Sequence, residues 1–417
     1  MVEKTYGMPG AASGLAGILL VLTLAICLST AVPCGAYADE GSEDGAASAD
    51  PETELMECVD GIMADLSLSS ITDIYSSDSL GAGDSISDWL AFDLCRMGVE
   101  DGSEEYLEAL ETYVTQAYAT DRKLSSSKST EWDRIAIAVE ALGGDATSLG
   151  TDEDGEPIDL VADGAYDWSQ TGELADQGSN AYIYALVSIN ASGVEVPDDA
   201  LYPIDVLIDG LLSYQGDDGG FGLSSTDAGG EVDVTAMALV ALAPYRDGND
   251  DVAAAIELGL GYISDMQAAD GTFVADGESS SESSSMVIIA LSALGIDAQT
   301  DERFVKEYGD AYSALLSYQR DDGTFSHNSD DDLSFVEYMS TEQAMRALIS
   351  YAEMLEGGDG NVYTCDVELD LVGGAGGSSS QSPVPWVLGG AVVGVAIVAI
   401  VFAAGRRRSR KGEDSGR

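Results

Sequence analysis

Tyr214-Gln215-Gly216-Asp217-Asp218-Gly219-Gly220-Phe221 is the first of three related segments, and the other two are residues 266–273 and 318–325. Equivalent residues recur at an interval of 52, which indicates a repeat architecture whose unit is long enough for a helical hairpin. Among the residues that all three copies share, we expect a structural role for Gln215, Gly219, Phe221, Gln267, Gly271, Phe273, Gln319, Gly323 and Phe325.

The flanks of each copy predict two helices of different character. Before each Gln, apolar residues recur three and four positions apart, which is typical of an amphipathic helix. The Asp-Gly pair then favours a turn, because Gly adopts the left-handed conformation and Asp bonds its own backbone. After a polar loop come the nearly all-apolar stretches 234–242, 286–294 and 344–348, which predict buried helices. Each unit therefore combines one outer and one inner helix.

Weaker copies of this pattern lie upstream, at residues 89–97, 106–118, 132–142 and 180–189. Together they predict roughly eleven or twelve helices between residues 84 and 356, with few strand signals. The fold class is therefore all-α. Spacing alone leaves open whether the hairpins stack as an open solenoid or close as a ring.

The segment 215–221, with Asp233-Val234-Thr235-Ala236-Met237 after it, resembles the repeats of the terpene cyclase and protein prenyltransferase superfamily. Those repeats close into an α/α toroid, so the resemblance implies a ring of six inner and six outer helices over residues 84–356. Within the superfamily, the chain is most similar to the α-domain of transcobalamin and intrinsic factor and their bacterial relatives. The segments that carry this likeness are 87–90, Arg134 with 141–145, 233–245, 282–285 with 293–297, and 340–344.

The ends of the chain predict a membrane-anchored protein. Residues 1–38 hold an apolar stretch followed by Ala36-Tyr37-Ala38, as in a secretory signal. Residues 386–404 are apolar and as a helix would span the hydrocarbon core of about 30 Å, and the basic residues 405–417 follow. We expect a single-pass cell-membrane protein with an extracellular ectodomain and a cytoplasmic tail. No Leu-Pro-x-Thr-Gly precedes the apolar segment, which favours a plain anchor over attachment by a sortase.

Three further segments frame the expected toroid. Residues 39–83 are acidic and we expect them to be partly disordered. Residues 357–372 alternate partly like a short strand, and residues 373–385 are rich in Gly and Ser, as in a flexible linker.

Composition excludes one class of partner. The chain has 75 acidic and 17 basic residues and a net charge of −58. Such a surface repels nucleic acid, so we expect no nucleic-acid partner. A negative charge of this size is typical of a soluble domain or of adaptation to an ionic environment. We also expect it to attract divalent cations weakly.

Tests for known chemistry give no match. There is no Asp-x-Asp-Asp acid, no thioester motif and no Cys-x-x-Cys pair, and the single histidine, His327, lies in an acidic loop where we expect it to be inert. Cys58, Cys95 and Cys365 leave two alternatives open, a Cys58–Cys95 bridge or buried free thiols. The sequence thus predicts a protein that is not an enzyme, with no metal and no cofactor.

A binding function remains after these tests, and the starts of the inner helices contain candidate ligand-binding residues. In a toroid these starts converge on one rim, where a concave mouth suits a small molecule. The resemblance implies that polar residues there contact the amide groups of a corrinoid. The alternative is that they are helix N-caps. The candidates are Asn180, Asp233, Thr235, Glu282, Ser284 and Gln343.

The preferred function is surface capture of a corrinoid, together with a partner that supplies a β-domain or belongs to an uptake system. The first alternative is a structural or protein-interaction module, which a filled central cavity would favour. The second is a diverged cyclase or lyase, which a deep apolar cavity with one buried carboxylate would favour.

Overall fold

A computed structural model describes residues 50–77, 79–120, 123–170, 172–224, 229–275, 278–329, 335–364 and 369. The expected signal 1–38, linker 373–385, apolar segment 386–404 and basic tail 405–417 lie outside these residues. Within them, no helix combines the length and the apolar character needed to cross a bilayer.

The described residues confirm the all-α class. They form eleven α-helices: α1 (Pro51–Asp65), α2 (Ser85–Arg96), α3 (Ser103–Tyr118), α4 (Thr130–Ala141), α5 (Ser179–Ser192), α6 (Ile204–Leu212), α7 (Val232–Leu242), α8 (Asp250–Met266), α9 (Ser281–Ala293), α10 (Ala311–Leu316) and α11 (Tyr338–Leu355). Short 3₁₀ helices (Ile71–Ile74, Leu174–Gln177, Ala243–Gly248) and one π-helical turn (Ala162–Tyr166) connect them. The strands β1 (Val274–Ala275) and β2 (Glu278–Ser279) form a small antiparallel hairpin.

Six helices form a closed inner ring. Each of α2, α4, α5, α7, α9 and α11 packs against the next in this order, and α11 packs back against α2. The hairpins therefore close as a ring rather than an open solenoid. Helices α7 and α9 are buried over nearly all of their length, as their continuous apolar sequence requires.

The outer layer contains a helix that sequence analysis missed. Helices α3, α6, α8 and α10 pack against the inner helices next to them, and the π-helical turn covers α4 and α5. Helix α1 packs against α11 and fills the last outer position. The toroid thus begins upstream of residue 84, within the segment 39–83 that we expected to be partly disordered.

The repeated motif is a clamp between neighbouring hairpins. The side-chain Nε2 of Gln215 donates to Gly219 O within its own turn (2.9 Å) and to Ala255 O of α8 in the next hairpin (2.8 Å). In the second copy, Gln267 donates in the same way to Gly271 O (3.0 Å) and Phe304 O (2.9 Å), and in the third Gln319 donates to Gly323 O (3.5 Å). The phenylalanine of each copy is fully buried.

Glycine is required in this turn because the next outer element lies directly against it. Gly219, Gly271 and Gly323 all have positive φ, and a Cβ on them would lie 2.7, 2.4 and 2.2 Å from the backbone oxygens of Leu258, Asp310 and Glu57, respectively. Since Glu57 belongs to α1, the third copy of the motif joins the last repeat to the first helix and closes the ring.

Candidate functional site

Side chains of the described residues project into the lumen of the ring. A void among them has a volume of about 10 Å³, which is the space of at most one water molecule. Inner helices α5, α7 and α9 and the segment after α11 line this void through Ile183, Tyr184, Val187, Met237, Val240, Met286, Ile289 and Tyr363. No corrinoid fits into this void, which argues against a ligand held inside the ring.

Tyr363 is the residue that fills the centre. Residues 357–364 form turns rather than part of the strand expected over 357–372, and the Ser350 hydroxyl anchors them by donating to Gly360 O (2.6 Å). The Tyr363 ring stacks on Phe92 with a centroid distance of 5.8 Å and meets Trp89 edge-on at 6.2 Å. The chain therefore packs its own aromatic residue where a lumen ligand would sit.

Polar residues also lie where the inner helices begin. Asn180, Asp233 and Glu282 are the second residues of α5, α7 and α9, and Gln343 lies in the second turn of α11. These four helices are consecutive in the ring, and all four side chains are half-buried. We call Asn180, Asp233, Glu282 and Gln343 the rim site.

The interpretation of the rim residues as helix N-caps is wrong. The N-cap positions of α5, α7 and α9 are Gly178, Glu231 and Ser280, each two residues before the rim residue. Among the described residues, the hydrogen bond to Asp233 Oδ1 comes from the adjacent Val234 N (3.0 Å). Asn180 Oδ1 is buried and has no hydrogen-bond partner among the residues that the structure describes.

Two other candidates do not reach the rim site. Thr235 is fully buried, accepts from Phe221 N (2.8 Å) and donates to Glu231 O (2.6 Å), so it ties the motif to α7. Ser284 is also fully buried and donates to Ser280 O (3.1 Å) within its own helix. Both hydroxyls stabilise the fold and are out of reach of a ligand.

Glu282 is the rim residue with the most partners. Its Oε1 accepts from the Ser340 hydroxyl (2.6 Å), and its Oε2 lies 2.8 Å from Nδ1 of His327. Burial raises the pKa of Glu282, but the hydrogen bonds from Ser340 and His327 outweigh it and hold the pKa below its usual value. Sequence reasoning missed this role of His327. The three residues are not a nucleophilic triad, because Ser340 donates to the carboxylate and not to the imidazole.

Other reactive groups lie apart from the rim site. Cys58 is a buried free thiol, so the alternative of a Cys58–Cys95 bridge is wrong, and Cys95 is half-buried; Cys365 lies outside the described residues. Burial raises the pKa of Asp133 to about 8, and Ser188 donates to its Oδ1 (2.9 Å). The described part of the chain holds no cluster of three or more His, Cys, Asp or Glu suited to a metal ion.

Comparisons with known proteins give a likeness of fold only. No family profile and no curated protein matches the chain. Among the solved structures that match is ent-copalyl diphosphate synthase from Streptomyces platensis, with 18% identity and a TM-score of 0.43. The match covers 66% of this chain and 50% of the synthase chain.

The comparison corrects one expectation. Missing motifs led to the prediction that the protein is not an enzyme, whereas one of the matching structures is that of a synthase. We therefore withdraw that prediction. At this TM-score the likeness identifies no substrate and no reacting residue.

Proposed function

We propose that the protein binds its ligand at the rim site. The observation that carries this proposal is the contrast between a filled lumen and a rim with four half-buried polar side chains on consecutive inner helices. Half-buried polar groups that do not cap a helix retain hydrogen-bonding capacity, and their partly apolar surroundings strengthen each bond that a ligand makes.

The chemistry of the rim site favours a neutral ligand rich in amide and hydroxyl groups. The amides of Asn180 and Gln343 both donate and accept, and the Asp233 carboxylate accepts. The helix starts add the positive end of the helix dipole. A polyanion is disfavoured, because the net charge of −58 repels it.

A corrinoid is the ligand that we propose within this class, since its ring carries peripheral amide side chains. Support comes from the resemblance of residues 84–356 to the α-domain of transcobalamin and intrinsic factor. The filled lumen leaves such a ligand on top of the rim with one face uncovered. We therefore propose a partner, either a β-domain protein or an uptake-system protein, that covers this face.

Calorimetric titration of the purified full chain with cyanocobalamin and cobinamide tests this proposal. We expect saturable binding that is lost in the double variant Asp233→Ala/Gln343→Ala. The matched control is Asp205→Ala/Gln116→Ala, because both residues are exposed on outer helices and Asp205 also accepts from the N–H of its neighbour. Absence of heat with both ligands up to millimolar concentration would exclude a corrinoid.

A second candidate function is recognition of a protein partner, which the filled lumen also favours. Phe335 and Met339 flank the start of α11 beside the rim site and are 58% and 54% exposed. Large exposed apolar side chains next to a polar site are typical of interaction surfaces. For this function, photo-crosslinking from position 335 on intact cells should capture one defined partner. If the crosslinked product is lost in Met339→Ser but not in Asp233→Ala, recognition of a protein partner is favoured over corrinoid capture.

We also propose that the protein resides in the cell membrane, with the ring outside the cell. Support comes from the sequence, which places an apolar segment at 386–404 and a basic tail at 405–417. Ending the chain after residue 385 should release the ring into the medium. Retention of that shortened chain in the membrane fraction would contradict the anchor.

A further inference from the structure

The repeats build the same backbone bridge at two inner-helix starts. Ser179 N donates to Leu223 O and Ser281 N donates to His327 O, both at 3.1 Å. Leu223 and His327 are equivalent, since each lies two residues after the phenylalanine of its repeat. The bridge between neighbouring hairpins is made by backbone atoms and therefore does not require a histidine.

A second contact is also shared by the two copies. The backbone N–H of Leu223 donates to the Glu231 carboxylate (3.4 Å), and that of His327 donates to the Glu337 carboxylate (2.8 Å). Glu231 and Glu337 are the N-cap residues of α7 and α11. The two copies thus have the same local framework.

The side chains on this framework differ. Leu223 bonds the residue before Asn180 in the first copy, and in the third copy His327 bonds the residue before Glu282 and also contacts Glu282 itself. The intermediate copy has Ala275 at the position of His327 and Asp233 at the position of Glu282. Only the third copy combines an acid with an imidazole, and His327 is the single histidine of the chain. This pair is an addition to the repeat rather than part of its structure.

The pair occupies Glu282. Ser340 and His327 each contact one carboxylate oxygen of Glu282. At least the contact with His327 must therefore break before Glu282 can bind a ligand. Among the described residues, two acidic groups contact His327: Glu282 from α9 and Glu337 from the start of α11. Glu342 acts on Glu282 from the next turn of α11, and Asp330–Asp332, which follow His327 in the sequence, lie outside the described residues.

We propose that His327 is a pH-dependent latch on the rim site: its imidazolium form holds Glu282 in an ion pair, and loss of the proton releases Glu282 to the ligand. The imidazolium is the low-pH form, so the latch is closed below the titration midpoint of His327 and open above it. The consequence for binding rests on the proposed function of the rim site, whereas the latch itself can be measured without a ligand.

Proton NMR of the full chain tests the latch directly, because a single histidine gives a single C2 proton resonance. We expect a midpoint above about 6.5, the value of an unperturbed histidine, because neighbouring carboxylates favour the charged form. Glu282→Gln should lower the midpoint. Glu278→Gln, which removes an exposed carboxylate from β2, should leave it unchanged. An equal midpoint in the wild type and in Glu282→Gln would overturn the proposal.

Binding provides the second test. His327→Leu copies the residue of the first repeat and keeps the backbone bridge, so it should fold. Wild type should bind cyanocobalamin several-fold more tightly at pH 8 than at pH 5.5, and His327→Leu should bind equally well at both. Equal wild-type affinity at the two pH values would overturn the latch. Absence of binding throughout would refute the corrinoid function instead, and the NMR midpoints alone would then decide the latch.

Discussion

Arg346 of the last inner helix and Asp93 of the first form a bidentate ion pair across the seam where the ring closes. Nε of Arg346 lies 3.1 Å from Oδ1 of Asp93, and Nη2 lies 3.2 Å from Oδ2. Both side chains are buried, at 3% and 0% exposure, and the guanidinium lies 4.2 Å above the ring of Trp89. Arg346 also pairs with Glu342 on its own helix. One cation thus joins α2 to α11 and faces two buried carboxylates.

Replacing Arg346 should therefore destabilise the ring strongly. In Arg346→Met the Asp93 carboxylate stays buried without its partner, and breaking a buried pair in this way costs about 3–5 kcal/mol. Chemical denaturation of the full chain would measure the loss. The double variant Arg346→Met/Asp93→Asn should recover part of it, because one of the two carboxylates that lose their partner is gone while Glu342 remains.

The control for this prediction is Arg303→Met. Arg303 pairs with Asp301 at 2.9 Å, but its side chain is 40% exposed. An exposed pair contributes roughly 0–1 kcal/mol. Similar losses in Arg303→Met and Arg346→Met would show that the seam pair does not hold the ring closed.

Closure of the ring also depends on Gly323, and a second prediction isolates this effect. Gly323 and Gly143 both have left-handed backbones, with φ of +85° and +81°. An alanine Cβ at position 323 would lie 2.2 Å from Glu57 O, whereas at position 143 it would meet nothing within 4 Å. Both substitutions carry the left-handed cost of about 1–2 kcal/mol. Gly323→Ala should lose clearly more stability than Gly143→Ala, which would appear as a lower midpoint of urea denaturation. Equal midpoints for the two variants would mean that α1 moves away from the added methyl group with no loss of stability.

The repeat made much of this fold predictable. Because Gln215 and Phe221 recur at one spacing, the hairpin, its turn and its buried phenylalanine follow from local rules. The positions of Asn180, Asp233 and Glu282 at inner-helix starts follow for the same reason, since each inner helix begins near the start of its apolar stretch. The role of Gln215 as a bridge to the next hairpin needed the structure, because its second acceptor, Ala255 O, is 40 residues away.

The elements that were missed have no counterpart in the repeat. Helix α1 carries no Gln-x-x-Asp-Gly motif, and its acidic neighbourhood resembles a solvated segment. Tyr363 lies after the last helix in a segment whose apolar and polar residues partly alternate, as in a strand. The sequence does not show that this segment enters the lumen, because that depends on the closure of the ring. The contact between His327 and Glu282 joins residues 45 positions apart, so neither residue indicates the other in the sequence.

Asp133 gives a third prediction, on pH dependence. Burial raises its pKa to about 8 in the folded protein from an ordinary value of 3.8. The unfolded chain therefore loses this proton first, and the free energy of unfolding falls as pH rises from about 4 to about 8, then levels off. The slope from one such group reaches at most about 1.4 kcal/mol per pH unit.

The variant Asp133→Asn removes this slope, because the amide stays neutral while its Oδ1 still accepts from Ser188. We expect the stability of Asp133→Asn relative to wild type to increase between pH 4 and pH 8 in denaturation series. Asp205→Asn, exposed on α6, should show no such trend. A stability difference between Asp133→Asn and wild type that is constant with pH would show that Asp133 is ionised in the folded ring.

The last prediction concerns the plug of the lumen. Tyr363 is buried against Phe92 and Trp89, so Tyr363→Ala leaves a cavity that joins the present void of about 10 Å³. Truncation of a buried aromatic residue costs about 3–5 kcal/mol. Tyr308→Ala is the control, since Tyr308 is 75% exposed and its loss should matter little. An apolar cavity of this kind binds small apolar molecules. Benzene should therefore raise the melting temperature of Tyr363→Ala and leave wild type unchanged. If Tyr363→Ala is as stable as wild type and ignores benzene, the segment after α11 does not hold the lumen closed.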